Sequence, residues 1–399
     1  MSADRLQEIM DWLVDGARSA AGPAELVAQL CERLVDSGVP IWRVGVFVRT
    51  LHPDVFGRSY IWRLGKQVEE GAADFSFPDT EEFQTSPLHT AIRTTTMVRH
   101  RLTQNVPLRS LVLEEMRAEG ITDYLAFPLV FTDGSVHATS MQTKELAGFA
   151  EAEIDVLGKI VPLLARLAEV RTLQRTAITL LDTYVGNRTG ARILAGQIRR
   201  GDAETLHAAI WLSDLRGFTA LSDRLPPRTV VDLLNRYFDC QVPSILKAGG
   251  EVLKFMGDGL LAVFPTADDG SDEREICAAV LVAAREARAA IKSLGCLEEG
   301  SPAEAVNFGL ALHVGDVLYG NIGGRHRLDF TCIGPAVNLA ARLEKLTGGL
   351  GRNVLASPEF ASHTRGDWMD IGEFAVPGFA RPQRVFGLRD ESGGVLPAS

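Results

Sequence analysis

A chain of 399 residues is too long for one ordinary hydrophobic core, so two domains and a linker are expected. With 46% hydrophobic and 23% charged residues the composition is globular and excludes wholesale disorder. A net charge of −10 and a pI near 5.4 argue against a general nucleic-acid binder or a protein held on an anionic membrane, although a nucleotide can still bind if metals or local basic residues offset its phosphates.

The cysteines, Cys31, Cys240, Cys277, Cys296 and Cys332, form no C-x-x-C pair, so neither a disulfide framework nor a zinc site is indicated. A reducing cytoplasm is the expected location. Met1 to Ala20 reads as an amphipathic helix without the apolar core of a signal peptide, and no apolar run is long enough to span a bilayer. No membrane partner is expected.

In chain order, Ala24 to Leu34 carries a helical pattern and Trp42 to Val48 a strand. Residues 52–90 are rich in turn formers and are expected to be irregular. Glu114 to Glu119 reads as helix. Leu125–Phe131 and Val136–Thr143 read as a hairpin closed at Thr132-Asp133-Gly134, and Gly148-Phe149 leads into a helix from about Glu151. Over about the first 170 residues this order resembles a GAF sensory domain. The resemblance implies a regulatory unit responding to a small-molecule or protein signal. The family's Asn-Lys-Phe-Asp-Glu signature is absent, and no polar motif names a ligand. His89 and His100 read as surface or packed histidines and receive no role.

From Ala152 to about Ile198, apolar residues recur at spacings of three and four: Leu157, Ile160, Leu163, Leu164, Leu167, Val170, Leu173, Ile178, Leu181. That suits an amphipathic or coiled-coil connector, which would align two chains in parallel. One more core helix explains the part before residue 175 equally well. Pro162 is placed to bend it, and Gly186 to Gly190 to interrupt it. The expected division is 1–170 sensory domain, 171–203 helical linker and 204–392 second domain.

In that second domain Ala208–Leu212 is a strand, and a helix starts near Gly217-Phe218-Thr219. Another helix runs from about Arg228 to Lys247 and stops at Gly249-Gly250. Two apolar runs, Val252–Phe255 and Leu260–Phe264, flank Met256-Gly257-Asp258-Gly259 and read as a hairpin. Ser271 is expected to cap a helix that Gly295 ends. Val306–Val314 is a strand, residues 315–324 a turn-rich stretch, Leu328–Ile333 a strand, and Pro335 opens a helix through Leu346. The order β-α-ββ-α-β is that of a ferredoxin-like or palm-type α+β sandwich.

On the hairpin alone, Asp258 is most simply turn chemistry. Asp214, in Ser213-Asp214-Leu215-Arg216-Gly217-Phe218-Thr219, changes that reading. In this topology the first strand and the hairpin lie side by side, and two carboxylates meeting at one edge repel unless a cation neutralises them. Mg²⁺ or Mn²⁺, two per site, would suit a phosphoryl transfer. Leu215 joins the metal candidates. A helix starting at Gly217 offers free N–H groups to phosphate, which makes Phe218 and Thr219 substrate-binding candidates.

Trp211–Thr219, Lys254–Phe264 and Phe330–Leu343 together resemble class III nucleotidyl cyclases, over roughly residues 204–390. The resemblance implies that Asp214 and Asp258 bind metal, that Lys254 and Thr331 select the purine, that Asn338 orients the ribose, and that Arg342 stabilises the transition state. It implies an adenylate cyclase acting on ATP in a homodimer with composite sites. A Lys ammonium donates to a ring nitrogen of adenine and a Thr hydroxyl can accept from its amino group, whereas guanine would want an acceptor at position 254. Cys332, next in the strand, is expected to turn into the core. In Val376-Pro377-Gly378-Phe379 the basic residue many members carry before Gly-Phe is missing, with Arg381 or Arg384 as substitutes. The alternatives are a nucleotide-binding regulator that kept the fold, a guanylate cyclase, or a diguanylate cyclase, whose Gly-Gly-Asp/Glu-Glu-Phe signature is absent.

Overall fold

The computed structural model describes residues 3–103, 110–267, 270–294, 306–325, 327–364 and 366–391. They form two compact units, Met1–Leu180 and Leu181–Ser399, with the division inside one long helix.

The first unit contains, in order, α1 (Ala3–Val14), α2 (Pro23–Asp36), β1 (Arg43–Arg49), β2 (Gly57–Arg63), β3 (Glu69–Ala73), α3 (Glu81–Gln84), α4 (Pro87–Thr94), β4 (Val98–Arg101), α5 (Leu111–Ala118), β5 (Asp123–Val130), β6 (Val136–Thr143) and the start of α6 (Glu151–Val185). Its sheet runs β3-β2-β1-β6-β5-β4 and every pair is antiparallel. Strand alternation gives it two cores. Val44, Val46, Leu125, Phe127 and Leu129 pack with Leu30 and Leu34 of α2 and Leu157 and Leu164 of α6. Tyr124 and Ala126, one residue out of step, pack with Ala91, Leu113 and Met116 of α4 and α5.

The irregular stretch expected over 52–90 is corrected: it holds β2, β3, α3 and α4. β3 is an edge strand, Glu69-Glu70-Gly71-Ala72-Ala73, with no buried residue and hence no apolar alternation to betray it. β4 is likewise an unforeseen edge strand, and carries His100, whose imidazole burial pushes below its ordinary pKa. His89 holds its Nδ1 2.9 Å from the Gln84 carbonyl. Both histidines are packed, as expected.

α6 continues through Pro162. The proline removes one backbone bond, at about 3 kcal/mol, but Leu157, Ile160, Val161, Leu164 and Ala165 are buried around it and packing prevails. The interruption comes where expected, at Gly186 (φ +89°), followed by α7 (Asn187–Leu194). The apolar stripe of α6 divides: residues up to Leu167 are core, while Val170, Leu173 and Ile178 are exposed.

The second unit continues with β7 (Ala203–Leu215), α8 (Phe218–Ser222), α9 (Pro227–Asp239), α10 (Val242–Lys247), β8 (Glu251–Met256), β9 (Gly259–Pro265), α11 (Glu273–Lys292), β10 (Phe308–Gly323), β11 (Leu328–Ile333), α12 (Pro335–Gly349), β12 (Val354–Ala356), α13 (Pro358–His363), β13 (Trp368–Phe374) and β14 (Gln383–Leu388). Its sheet runs β13-β14-β12-β10-β7-β9-β8, with β11 on the far half of β10. The antiparallel core β10-β7-β9-β8 is the ferredoxin-like, palm-type arrangement the element order implied. β7 is buried on both faces: Ala209 and Trp211 pack towards α9, α10 and α11, while Ala208, Ile210 and Leu212 pack with Ala336 and Ala340 of α12.

Three local expectations are corrected. Residues 315–324 are not turns but the far half of β10. The glycines there serve close approach: a Cβ on Gly320 would lie 2.2 Å from the Asp202 carbonyl oxygen, and one on Gly315 3.1 Å from the Ala336 Cβ. The helix expected over 228–247 is two helices, because Pro243 cannot donate to a continuing ladder. Asp272, rather than Ser271, occupies the N-cap position of α11, and the expected stop at Gly295 lies outside the described residues.

Candidate active site

β7 and the β8–β9 hairpin bring two carboxylates together. Asp214 is the penultimate residue of β7, and Asp258 sits in the turn whose φ +70° is taken by Gly257. Ser213 is registered against Leu260, and a Cβ on Gly259 would come within 3.3 Å of the Ser213 carbonyl and 3.4 Å of Asp214 Oδ1. The glycine lets the hairpin close on Asp214. Burial first, then the charges of Asp258 and Glu344 and a hydrogen bond to Asp258, push the Asp214 carboxyl up to about 7. This is a donor set short of a cation. Among the described residues no group of three His, Cys, Asp or Glu side chains is placed to hold a metal. A hard divalent ion bound by the two aspartates would complete its shell with substrate oxygens, water and backbone carbonyls, and this donor set fits Mg²⁺ or Mn²⁺. Leu215 has its side chain in the core, so its backbone is all it offers.

The strand holding Asp214 is braced from behind by groups that sequence reasoning missed. Ser213 Oγ donates to Gln241 Oε1 at 2.7 Å, and Trp211 Nε1 donates to the same oxygen at 3.4 Å. Gln241, in the break between α9 and α10, is fully buried. Glu344 of α12 was also missed. It lies over Gly309, the cross-strand partner of Asp214, where a Cβ would be 2.6 Å from its Oε1. Its carboxyl is raised by burial and by Asp258, against the pull of Arg216 and Lys345.

A second cluster joins β8 and β11. Lys254 Nζ donates to Asp329 Oδ2 at 3.1 Å. Asp329 and Thr331 alternate onto one side of β11. Thr331 is 5% exposed and its Oγ1 is buried with no hydrogen-bond partner. An orphaned buried hydroxyl costs roughly 1–3 kcal/mol, which a ligand group can recover. Asp329 went unnoticed in the sequence; its position two residues before Thr331 is the signal that could have found it. Cys332 is core, as expected, with its thiol pushed up to about 11 by burial.

Asn338 and Arg342 lie one turn apart on the exposed side of α12. Neither side chain has a hydrogen-bond or ion-pair partner among the described residues. Within one chain the structure therefore assembles two clusters, Asp214 with Asp258 and Lys254 with Asp329 beside Thr331, and leaves Asn338 and Arg342 facing outward. Phe218 packs on the core at the start of α8, and Thr219 is exposed beside it. Of the two substitutes for the missing C-terminal cation, Arg384 is engaged with Asp370, its Nε at 2.9 Å, whereas Arg381 is exposed.

Residues 203–379 match the family model of the adenylate and guanylate cyclase catalytic domain. An adenylate cyclase of Anabaena cylindrica is 35% identical over 159 residues, 40% of this chain and 31% of that protein. Adenylate cyclase 1 of Rhizobium meliloti is 29% identical over 202 residues, 48% of this chain and 30% of that protein. The chain thus spans less than a third of the length of either relative. The crystal structure of the adenylyl cyclase CyaB from P. aeruginosa is 29% identical, with a TM-score of 0.42, over 48% of this chain and 97% of that one.

Proposed function

Residues 203–379 belong to the adenylate and guanylate cyclase catalytic-domain family, and from that premise we propose that the chain is an adenylate cyclase converting ATP to 3′,5′-cyclic AMP and pyrophosphate. The observation that carries the choice of ATP is the buried, unpartnered Thr331 Oγ1 beside the Lys254–Asp329 pair. Lys254 donates to a ring nitrogen of adenine, and Thr331 accepts from its amino group. Asp329 orients the ammonium by taking one of its three hydrogens.

In the reaction the ribose 3′-oxygen forms a bond to the α-phosphorus, the bond from that phosphorus to the bridging β-phosphate oxygen breaks, pyrophosphate leaves, and the hydroxyl proton passes to solvent. Asp214 and Asp258, with the backbone at Leu215, would hold the divalent cations, which when bound supply Lewis-acid activation of the hydroxyl and neutralise the triphosphate. Phe218 and Thr219 present the first N–H groups of α8 to the phosphates. Asn338 orients the ribose, and Arg342 meets the charge that develops on the α-phosphoryl group. The outward placement of Asn338 and Arg342 supports a site completed between two copies, each lending its aspartates to one centre and its α12 to the other. The first unit, with its six-stranded antiparallel sheet, is read as a GAF-like sensory domain acting through α6.

The test is the purified chain with ATP or GTP and Mn²⁺, products identified by mass. Cyclic AMP is expected. No cyclic nucleotide from either substrate overturns the assignment, and equal or greater use of GTP overturns the base reading alone. Removal of residues 1–170 is expected to change turnover; an unchanged rate counts against the sensory role.

A further inference from the structure

A buried carboxylate of the second unit, Glu251, lies outside the proposed reaction centre. Glu251, the first residue of β8, is 8% exposed and has no ion-pair partner among the described residues. It is held by neutral donors alone. The Thr189 backbone N–H and Oγ1 donate to Oε1 at 3.0 and 2.9 Å, and the Tyr319 hydroxyl donates to Oε2 at 2.9 Å. Thr189 Oγ1 and Tyr319 Oη are themselves 3.0 Å apart. A lone carboxylate is tolerated in such a place only while its hydrogen bonds are complete. Burial first, with Glu251 adding to it, raises the Tyr319 phenol, so it stays a donor.

The donors come from two directions. Thr189 is in the first turn of α7, directly after the break at Gly186, where a Cβ would be 3.0 Å from Glu251 Oε1. The rest of that segment is fixed to β10 as well: Asn321 Nδ2 donates to the Gln197 carbonyl at 2.9 Å, and the Arg192 guanidinium stacks 5.1 Å from the Tyr319 ring centre.

Both strands holding the carboxylate also lead to the base-reading cluster. Residues three apart on a regular strand point to opposite faces. β8 is irregular between Val252 and Lys254, so Glu251 registers with Val263 and Lys254 with Leu261, two residues of one face. A bulge that re-aims one side chain is a device found beside active sites. On β10, Tyr319 is opposite Cys332 and Gly320 is opposite Thr331.

We infer that the Thr189–Glu251–Tyr319 clasp positions Lys254 and Thr331 relative to one another, so that the docking of α7 sets how strongly the purine is discriminated. None of the three residues is placed on substrate; they are positioning residues. If α7 draws away, Glu251 loses two of its three hydrogen bonds and β8 must shift to satisfy the carboxylate elsewhere. Coupling of this kind is reciprocal, so bound ATP would tighten α7 in turn. The inference rests on the reading of Lys254 and Thr331 as base contacts.

The experiment uses the full chain and measures kcat and KM for ATP and GTP with Mn²⁺, together with the affinities of the fluorescent N-methylanthraniloyl derivatives of both nucleotides. Thr189→Val and Tyr319→Phe are each expected to lower the ATP-over-GTP preference roughly 3- to 10-fold, the change expected for one hydrogen bond, and mainly through KM and affinity. Thr189→Ser should keep the preference within about twofold of the parent, because it retains both donors. The double variant should lose less than the product of the single losses, since both act through one carboxylate. Tyr319→Phe, which keeps the ring, decides the matter if Thr189→Val does not unfold cooperatively. An unchanged preference in a folded variant, or a change in kcat alone, overturns the inference while leaving the cyclase assignment intact. A parent protein that neither binds nor converts either nucleotide overturns the cyclase reading, and the inference with it.

Discussion

Asp214 and Thr331 carry opposite kinds of unmet demand, and each makes a prediction. Asp214 is a half-buried carboxyl raised from 3.8 to about 7 by burial, Asp258 and Glu344. A carboxyl that binds its proton more tightly folded than unfolded loses stability as pH rises from the unfolded pKa to the folded one. In chelator, Tm should therefore fall between about pH 4 and pH 7. Asp258→Ala should flatten that fall and raise Tm at pH 7, while lowering turnover on the order of 100-fold or more. Thermal unfolding with EDTA across pH reads the first effect; full activity in the variant would sink the metal assignment. Thr331 Oγ1 is buried without a partner, so Thr331→Val removes an unsatisfied group and should leave the nucleotide-free protein equally or more stable. The same change should cost roughly tenfold in ATP affinity. A variant that is destabilised yet binds ATP unchanged would show the hydroxyl to be structural.

The elements that carry these residues are positioned by contacts that only glycine permits. α12 lies on β10 over Gly309, where a Cβ would come within 2.2 Å of Thr347 Oγ1 and 2.6 Å of Glu344 Oε1. Gly309→Ala should cost about 1–3 kcal/mol by lifting the helix that bears Asn338 and Arg342. Urea denaturation checks it, and an unchanged midpoint would mean that the helix is not held at this point. The hairpin β8–β9 was legible because its strands are apolar runs on either side of a Gly-Asp-Gly turn. The far half of β10 was not legible, because Gly315, Gly320 and Gly323 mimic turns while serving close approach. β2, β3 and β4 were missed for the opposite reason. They lie at or near sheet edges, and β3 and β4 bury no residue, so the alternation that reveals a strand is weak or absent.

At the scale of the whole molecule the proposal is a site shared by two chains, and the exposure of Asn338 and Arg342 on the chain that holds Asp214 and Asp258 is what supports it. Asp258→Ala and Arg342→Ala should each be nearly inactive alone. Mixed under conditions that exchange subunits, they should recover about a quarter of parental activity, since half the dimers then hold one intact site of two. No recovery would sink the shared site. Much of this was readable from the chain itself. Most of the element order and the turn of Cys332 into the core follow from local periodicity, which needs only neighbours in sequence, whereas Asp214, Asp258, Asn338 and Arg342 were named by the resemblance of their motifs to a family. Local pattern could not reveal the groups that meet across distant segments: Gln241 behind Ser213, Glu344 over Gly309, Asp329 on Lys254, and Glu251 between Thr189 and Tyr319. Gln241, Glu344 and Glu251 are polar side chains of a kind that is ordinarily solvated, and only tertiary burial makes their partners obligatory, while the exposed Asp329 meets Lys254 because β8 and β11 come together in the fold. The motifs that nominate the proposed reacting groups were therefore written in sequence, and the scaffold that holds those residues was decided by the packing of strands and helices far apart in the chain.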